Sequence, residues 1–516
     1  MNGAEALVRT LVAAGVDTCF ANPGTSELHV VAALDDVPQM RGVLALFEGV
    51  ATGAADGYAR MAGRPAACLL HLGPGLANGL ANLHNARRAR SPVVNLVGGH
   101  ATFHQQFDPP LQSDIAAVAG TVSRWCRTAR MGLIGPDVAD AVAAASGPPG
   151  GVATLVVPAD VAWTSPAEPA PPHPETPPRR VGPEAIVDAA SALRSGERSA
   201  LLLGGSAVRA RGLRAAARLA AATGAAVLGE TFPARLERGA GLPPLERLSY
   251  LGELAGAQLD GVRHLVLVDA AHPVTFFAYP GRPGDLVPED CTVHRLAEPG
   301  EDAPAALEDL VEAVGAGGAQ AAGEPSRRPQ LPTGDLTPDA LGAAVGALLP
   351  EGAVVVDEGN TAGIFAAGAT AGAPPHDWLT LTGGAIGMGL PLATGAAVAA
   401  PDRRVLCLEA DGSAMYTLQA LWTQAREGLD VTTVVLANRA YAILAMELSR
   451  VGAGEGGAQA RAMLDLAHPP LDFTSLARGL GVPAVRATTA DELVAAIERS
   501  LAEPGPSWVE GVLAGL

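Results

Sequence analysis

Val405-Leu406-Cys407-Leu408-Glu409-Ala410-Asp411-Gly412-Ser413-Ala414-Met415-Tyr416, with its sequel Val431-Thr432-Thr433-Val434-Val435-Leu436-Ala437-Asn438-Arg439-Ala440-Tyr441, decides the fold. An apolar run from Val405 to Leu408 ends in Asp411-Gly412-Ser413, and a helical pattern follows through Leu418, Leu421 and Trp422. A second apolar run, Val431 to Leu436, ends in Asn438. The pattern is strand, turn, helix, strand, with a carboxylate and an amide oxygen at neighbouring strand ends. Hard oxygen ligands of this kind suit Mg²⁺, and the N–H groups of Gly412 and Ser413 at a helix start suit a phosphate. Taken alone, Asp-Gly-Ser is also an ordinary turn and Asn438 an ordinary strand end.

The same alternation runs outward along the chain. Ala4 to Ala14 has a helical pattern, and strands are expected at Ala66–Leu70 and Val93–Val97, at Ala200–Leu203, Ala226–Leu228 and His264–Val268, and at Ala353–Val356. Apolar strands without polar alternation imply parallel sheets covered on both faces. Ser165 to Arg180 carries too many prolines for helix or sheet, and residues 315–333 are rich in Gly, Ala and Pro without an apolar period. These linkers divide the chain into expected domains at 1–165, 183–315 and 334–516, each of ordinary size. The expected fold class is α/β, as three doubly wound domains with parallel sheets.

Composition removes several classes of function. Hydrophobic residues make up 48% of the 516, ample for large cores. A net charge of −18 argues against nucleic acid as a partner. No apolar run reaches the roughly 20 residues of a membrane span, and no basic-then-apolar leader pattern opens the chain. The five cysteines are scattered and unpaired in spacing, which fits reduced thiols in a cytoplasm. Every basic residue is Arg; without Lys, Schiff-base chemistry and a P-loop are excluded.

A second constellation lies near the start. Glu48 follows the apolar run Val43–Phe47 and precedes a Gly/Ala-rich helical stretch through Arg60. A carboxylate placed there has few solvating neighbours, although acids are also common in first helical turns. Two further segments accompany it: Asn22-Pro23-Gly24-Thr25-Ser26-Glu27-Leu28 and His71-Leu72-Gly73-Pro74-Gly75-Leu76-Ala77-Asn78. Together with Asp411-Gly412 and Asn438 they resemble the thiamin-diphosphate enzymes of the acetolactate synthase and benzoylformate decarboxylase superfamily. Ala410 and Ala437 stand where that family's motif has Gly and Asn.

The resemblance carries roles with it. It implies that Asp411, Asn438 and the carbonyl of Ala440 ligate Mg²⁺, and that Gly412, Ser413, Asn360, Thr361 and Tyr441 lie at the diphosphate. It places Gly384 and Ile386, within Thr382 to Pro391, against the bent cofactor, with Ile386 as the wedge between its rings. It makes Glu48 the partner of the aminopyrimidine nitrogen, with Asn78 nearby. The C2 ylide so generated would attack a 2-oxo acid, and an enamine would follow loss of carbon dioxide. His71, His100, His104 and Thr25 are the candidate proton carriers.

The expected activity is non-oxidative decarboxylation of a 2-oxo acid. The alternative is a carboligase of acetolactate synthase type, and a further one is a homologue that binds cofactor without turnover. After Asn438 the sequence continues like the decarboxylases, and the family's Gln-Trp pair is missing. Gly204-Gly205-Ser206 is too common a strand–helix turn to indicate FAD. Sites shared between subunits of a homodimer or homotetramer are implied by the family. Phe103, Phe107, Phe276, Phe277, Met415, Ile443 and Leu444 are available to line a substrate pocket.

Overall fold

The computed structural model describes residues 1–513, so residues 514–516 of the expected third domain lie outside the described residues. Its strands are β1 (Thr18–Asn22), β2 (Arg41–Leu44), β3 (Ala66–Leu70), β4 (Val93–Gly99), β5 (Trp125–Thr128) and β6 (Val152–Pro158). Next come β7 (Ser199–Leu203), β8 (Ala226–Gly229), β9 (Leu236–Arg238), β10 (Glu246–Arg247), β11 (His264–Val268) and β12 (Thr292–Ala297). The last are β13 (Val354–Glu358), β14 (His376–Thr380), β15 (Val405–Ala410), β16 (Val431–Ala437), β17 (Ala484–Ala487) and β18 (Ser507–Val512).

They form three sheets, in the orders β2-β1-β3-β4-β6-β5, β10-β8-β7-β11-β12 and β17-β18-β16-β15-β13-β14-β9. β4, β6 and β16 are buried along their whole length, as an unbroken apolar run under helices on both faces requires. The parallel arrangement meets the expectation, with one addition. β9 leaves the middle segment and pairs antiparallel with β14, Arg238 against His376, at the edge of the third sheet. Strand ends also move. β2 stops at Leu44, so Ala45–Phe47 is a connection into the helix Glu48–Ala62, and β13 and β15 run on to Glu358 and Ala410.

The first and third sheets share one core. Val50, Ala51 and Ala54 of the helix Glu48–Ala62 pack with Leu390, Ala393 and Ala396 of the helix Gly389–Ala399. Glycines let these helices approach backbone to backbone. A Cβ on Gly395 would lie 1.8 Å from the Ala54 carbonyl oxygen, and one on Gly57 would lie 2.1 Å from that of Leu392. Arg60, buried beside Asp56, locks the contact. Its guanidinium pairs with the Asp56 carboxylate at 2.6 Å and donates to the Thr380 carbonyl at 2.8 Å and the Thr382 hydroxyl at 3.1 Å.

Gly395→Ala therefore forces these helices apart. We expect it to lower stability by about 1–3 kcal/mol, the cost of an overpacked core. Thermal unfolding checks this: an unchanged midpoint would contradict the close approach.

Candidate active site

The site begins at the carboxyl ends of β1, β3 and β4, where parallel α/β sheets present their functional loops. Glu48 opens its helix and is nearly buried. Asn78, in the helix Leu72–Ala89, donates through Nδ2 to Glu48 Oε2 at 3.0 Å. Gly75 lies between two candidates: its Cβ would sit 2.9 Å from Glu48 Oε1 and 3.4 Å from the His71 Cβ. His71 Nδ1 meets Glu27 Oε2 at 2.8 Å, and the Gly24 N–H donates to the same oxygen at 2.7 Å. Burial raises the Glu27 carboxyl above its ordinary range, while the His71 and Gly24 bonds oppose that rise. Its other oxygen is buried without a hydrogen-bond partner.

His100 follows β4 and lines a cavity of about 520 Å³ with Leu72, Gln105, Gln112 and Ser113. Burial, reinforced by His104 and His71, pushes the His100 imidazole below its ordinary value. The His104 ring stands edge-on to it at 5.8 Å and is itself exposed. Thr25 is exposed in the short turn Thr25–Glu27.

The other candidates gather at the ends of β13, β15 and β16. Asp411 starts the helix Asp411–Thr417, and its Oδ1 accepts the Gly412 N–H at 2.8 Å. Its Oδ2 accepts the Arg439 N–H at 2.6 Å, which draws the end of β16 onto β15. Arg439 adopts φ +59°, so the chain reverses there, and Asn438 Oδ1 accepts the Ala440 N–H at 3.0 Å. A Cβ on Gly412 would strike the Tyr441 ring at 2.4 Å. Asn360, at φ +46°, donates through Nδ2 to Ser413 Oγ at 3.1 Å, with Thr361 next in the same helix. Burial raises the Asp411 carboxyl, an effect that a neighbouring dication would reverse. Among the described residues no three His, Cys, Asp or Glu side chains converge on a metal position. A cation here would therefore rely on amide, carbonyl and ligand oxygens beside Asp411.

Gly384 and Ile386 lie between the two groups. Ile386 is partly buried against the shared core. The segment is tied to the first sheet's helix Leu72–Ala89: Asn82 donates to the Gly387 carbonyl at 3.2 Å and Asn85 to that of Ala385 at 2.8 Å. From the other side Glu358 accepts the Gly387 N–H at 2.8 Å and the Gly389 N–H. Glu358 faces Glu409 in a fully buried carboxyl pair. Desolvation raises Glu358 to about 7 and, with the neighbouring acid, holds Glu409 well above the ordinary range. Phe276, itself partly exposed, abuts this segment, its ring tip 2.5 Å from where a Gly384 Cβ would be. Of the other candidate pocket residues, Phe277 packs on Phe276 and is half-exposed, and Phe103 and Phe107 are exposed on the first sheet's loops. Gly205 is closed over by Asp269, whose Oδ2 would lie 2.1 Å from its Cβ.

Thus Glu48, Asn78, His71 and His100 form one group, and Asp411, Asn438, Ala440, Gly412, Ser413, Asn360 and Tyr441 another. Among the described residues no hydrogen bond joins Glu48, His71 or His100 to Asp411, Asn438 or Ser413. Reading the sequence missed Glu27, Asn82, Asn85, Glu358 and Glu409. Asn78, Asn82 and Asn85 follow helical spacing on one face, a signal that was present. Glu358 and Glu409 sit at strand ends that apolar runs do not reveal.

These two groups and this fold define a thiamin-diphosphate enzyme. The description "Thiamine pyrophosphate enzyme, N-terminal TPP binding domain" matches residues 1–118, and its C-terminal counterpart matches 357–511. The chain belongs to this family. It is 61% identical, over the full length of both, to a Mycobacterium tuberculosis protein named "Putative acetolactate synthase large subunit IlvX". It is 31% identical, over 96% of each chain, to benzoylformate decarboxylase of Pseudomonas aeruginosa. Among solved structures, the thiamine diphosphate-dependent 4-hydroxybenzoylformate decarboxylase of Rhodococcus jostii RHA1 superposes over 100% of both chains, with a TM-score of 0.86 at 24% identity. Benzoylformate decarboxylase of Polynucleobacter necessarius superposes over 99% of both, with a TM-score of 0.85 at 23% identity. No helix among the described residues is long and apolar enough to cross a membrane.

The carboxyl pair has a consequence for pH. Both groups bind protons more tightly folded than unfolded, so native protons outnumber unfolded ones between the ordinary Glu value of about 4.3 and the raised values. Stability conferred by the protonated pair is thus present in acid and declines as pH rises through about 7. Glu409→Gln leaves Glu358 its backbone donors and removes the repulsion. Its melting temperature should exceed that of the parent at pH 8 and converge with it near pH 5; equal melting temperatures at both pH values would refute the pairing.

Proposed function

We propose that this chain is a thiamin-diphosphate- and Mg²⁺-dependent carboxy-lyase acting on a 2-oxo acid. The residues fit the cofactor on the chemistry of their donors. Asp411, Asn438 and the Ala440 carbonyl supply hard oxygens suited to Mg²⁺. Gly412 and Ser413 offer N–H groups at a helix start, with Asn360 and Thr361 adding polar side chains for a diphosphate. When bound, the cofactor supplies the electron sink that receives the bonding pair as carbon dioxide leaves. The chain's own tasks are to shape, orient and move protons. Ile386 and Gly384 would shape the site, held in place by Glu358 and the two asparagines. Glu48, oriented by Asn78, would share a proton with the cofactor's ring nitrogen.

The observation that carries the lyase reading is the His71–Glu27 pair beside Glu48. A buried carboxyl hydrogen-bonded to an imidazole is a ready proton store, and a lyase must return a proton to carbon after decarboxylation. His100 stands as a second carrier, with Thr25 and His104 further out. The carboligase reading draws support from the printed name of the 61% identical relative. The absence of any Lys and the sequence after Asn438 weigh against acetolactate synthesis. We place the working units near 1–165, 183–315 and 334–516, in a cytoplasmic enzyme.

Incubating the protein with cofactor, Mg²⁺ and a panel of 2-oxo acids tests the assignment. We expect carbon dioxide and the corresponding aldehyde. Ligated products alone would favour the carboligase, and no turnover of any acid would remove both.

We further propose that each site is completed across two subunits, Glu48 of one facing Asp411 and Asn438 of the other, in a symmetric dimer or a tetramer built from it. Glu48→Gln should bind cofactor yet exchange its C2 proton orders of magnitude more slowly, whereas Asp411→Ala should lose cofactor affinity. Mixing the two inactive variants with subunit exchange should restore one intact site of two in the mixed dimer. Confirmed exchange without recovered activity would place the site within one chain.

A further inference from the structure

The five-stranded sheet carries two histidines that the cofactor site does not use. His264 opens β11 and His294 lies in the edge strand β12, where the register sets Val266 opposite His294. Side chains alternate along strands, so both rings emerge on one face as diagonal neighbours. The helix Pro183–Leu193, which contains Asp188, packs over that face.

The ring nitrogens are disposed in an unusual way. His264 Nδ1 and His294 Nε2 face each other at 3.1 Å. The outer nitrogens are each held by a carboxylate, His264 Nε2 by Glu197 at 2.9 Å and His294 Nδ1 by Asp188 at 2.7 Å. An ionised carboxylate only accepts, so each outer nitrogen carries the ring's N–H. A neutral imidazole has a single N–H, and both inward nitrogens therefore present lone pairs. Two acceptors at this separation repel unless a positive species lies between them. That species is either a proton shared by the rings or a metal ion.

The 3.1 Å separation suits a shared proton as it stands, and it also admits a metal. A tetrahedral ion at about 2.05 Å from each nitrogen separates them by about 3.3 Å, which a small swing of either ring provides. A carboxylate behind each imidazole is the arrangement that fixes tautomer and ring orientation in metal-bound histidines and raises their basicity. His264 and His294 are 17% and 9% exposed at their side chains, with Glu197 and Asp188 behind them 53% and 60% exposed. Imidazole nitrogens select Zn²⁺, Cu²⁺ or Ni²⁺ over the hard cations that oxygen donors hold.

We propose that His264 and His294 form a two-histidine site for a divalent transition ion, with Asp188 and Glu197 as the groups that orient them. The ion joins the edge strand β12 to β11 and, through Asp188, to the covering helix. This site is separate in donor chemistry from the oxygen ligands at Asp411.

The test uses tag-free, chelator-washed full-length protein titrated with Cu²⁺ under electron paramagnetic resonance, and with Zn²⁺ under thermal unfolding. We expect one equivalent of Cu²⁺ with couplings to two nitrogens, and a rise in melting temperature with Zn²⁺. Both should vanish in His264→Gln and His294→Gln and persist in Asp411→Ala. Asp188→Asn and Glu197→Gln should each weaken binding roughly 10- to 100-fold, which keeps the question answerable if a histidine variant does not fold. No stoichiometric two-nitrogen signal would mean that a proton alone bridges the rings, and the proposal would fall. Unchanged affinity in the histidine variants, or in both carboxylate variants, would overturn it equally.

Discussion

The contact between the helices Glu48–Ala62 and Gly389–Ala399 governs the rest of the molecule. One helix begins at Glu48, and the other follows directly on the segment holding Gly384 and Ile386. Because glycines bring the two backbones together, and Arg60 fixes their relative slide through Asp56, Thr380 and Thr382, the two ends of the sequence are set in one frame. An arginine so deeply buried is tolerable only with every donor engaged, and here a carboxylate and several oxygens engage them. Small residues at this seam thus fix where Glu48 and the segment from Gly384 to Ile386 stand relative to each other.

Much of the fold was legible because parallel strands are apolar from end to end, as in Val93–Val97 and Val431–Leu436. The strand-end positions of Asp411 and Asn438 were legible too, since polar residues stand out where such runs stop. The strands' polar ends were less so: Glu358 and Glu409 belong to β13 and β15, yet their acid side chains look like the start of a loop. β9 has three residues and mixed polarity, so no periodicity marks it, and only tertiary pairing makes it a strand. Glu27 was passed over for a different reason. Its significance lies in His71, far along the chain, and a single sequence does not reveal such pairings.

Buried acids recur through the molecule, and each has a distinct solution to the cost of burial. Asp56 is neutralised by Arg60. Glu27 leans on an imidazole and a backbone N–H. Glu358 and Glu409 have no ion pair among the described residues; burial raises both carboxyls, the charge of Glu358 raises Glu409 further, and Glu358 accepts the Gly387 and Gly389 N–H groups. Asp411 is held by the backbone N–H groups of Gly412 and Arg439, and among the described residues it has no ion pair, while burial raises its carboxyl.

β9 bears on how such a chain can be recombined. Without it, β14 would be the outermost strand of the third sheet, with a free row of N–H and C=O groups. The middle segment is therefore no interchangeable cassette. Replacing it wholesale with a foreign insert would uncover a sticky border on a neighbouring unit, so shuffling during evolution or by an engineer must carry Leu236–Arg238 along with the third sheet.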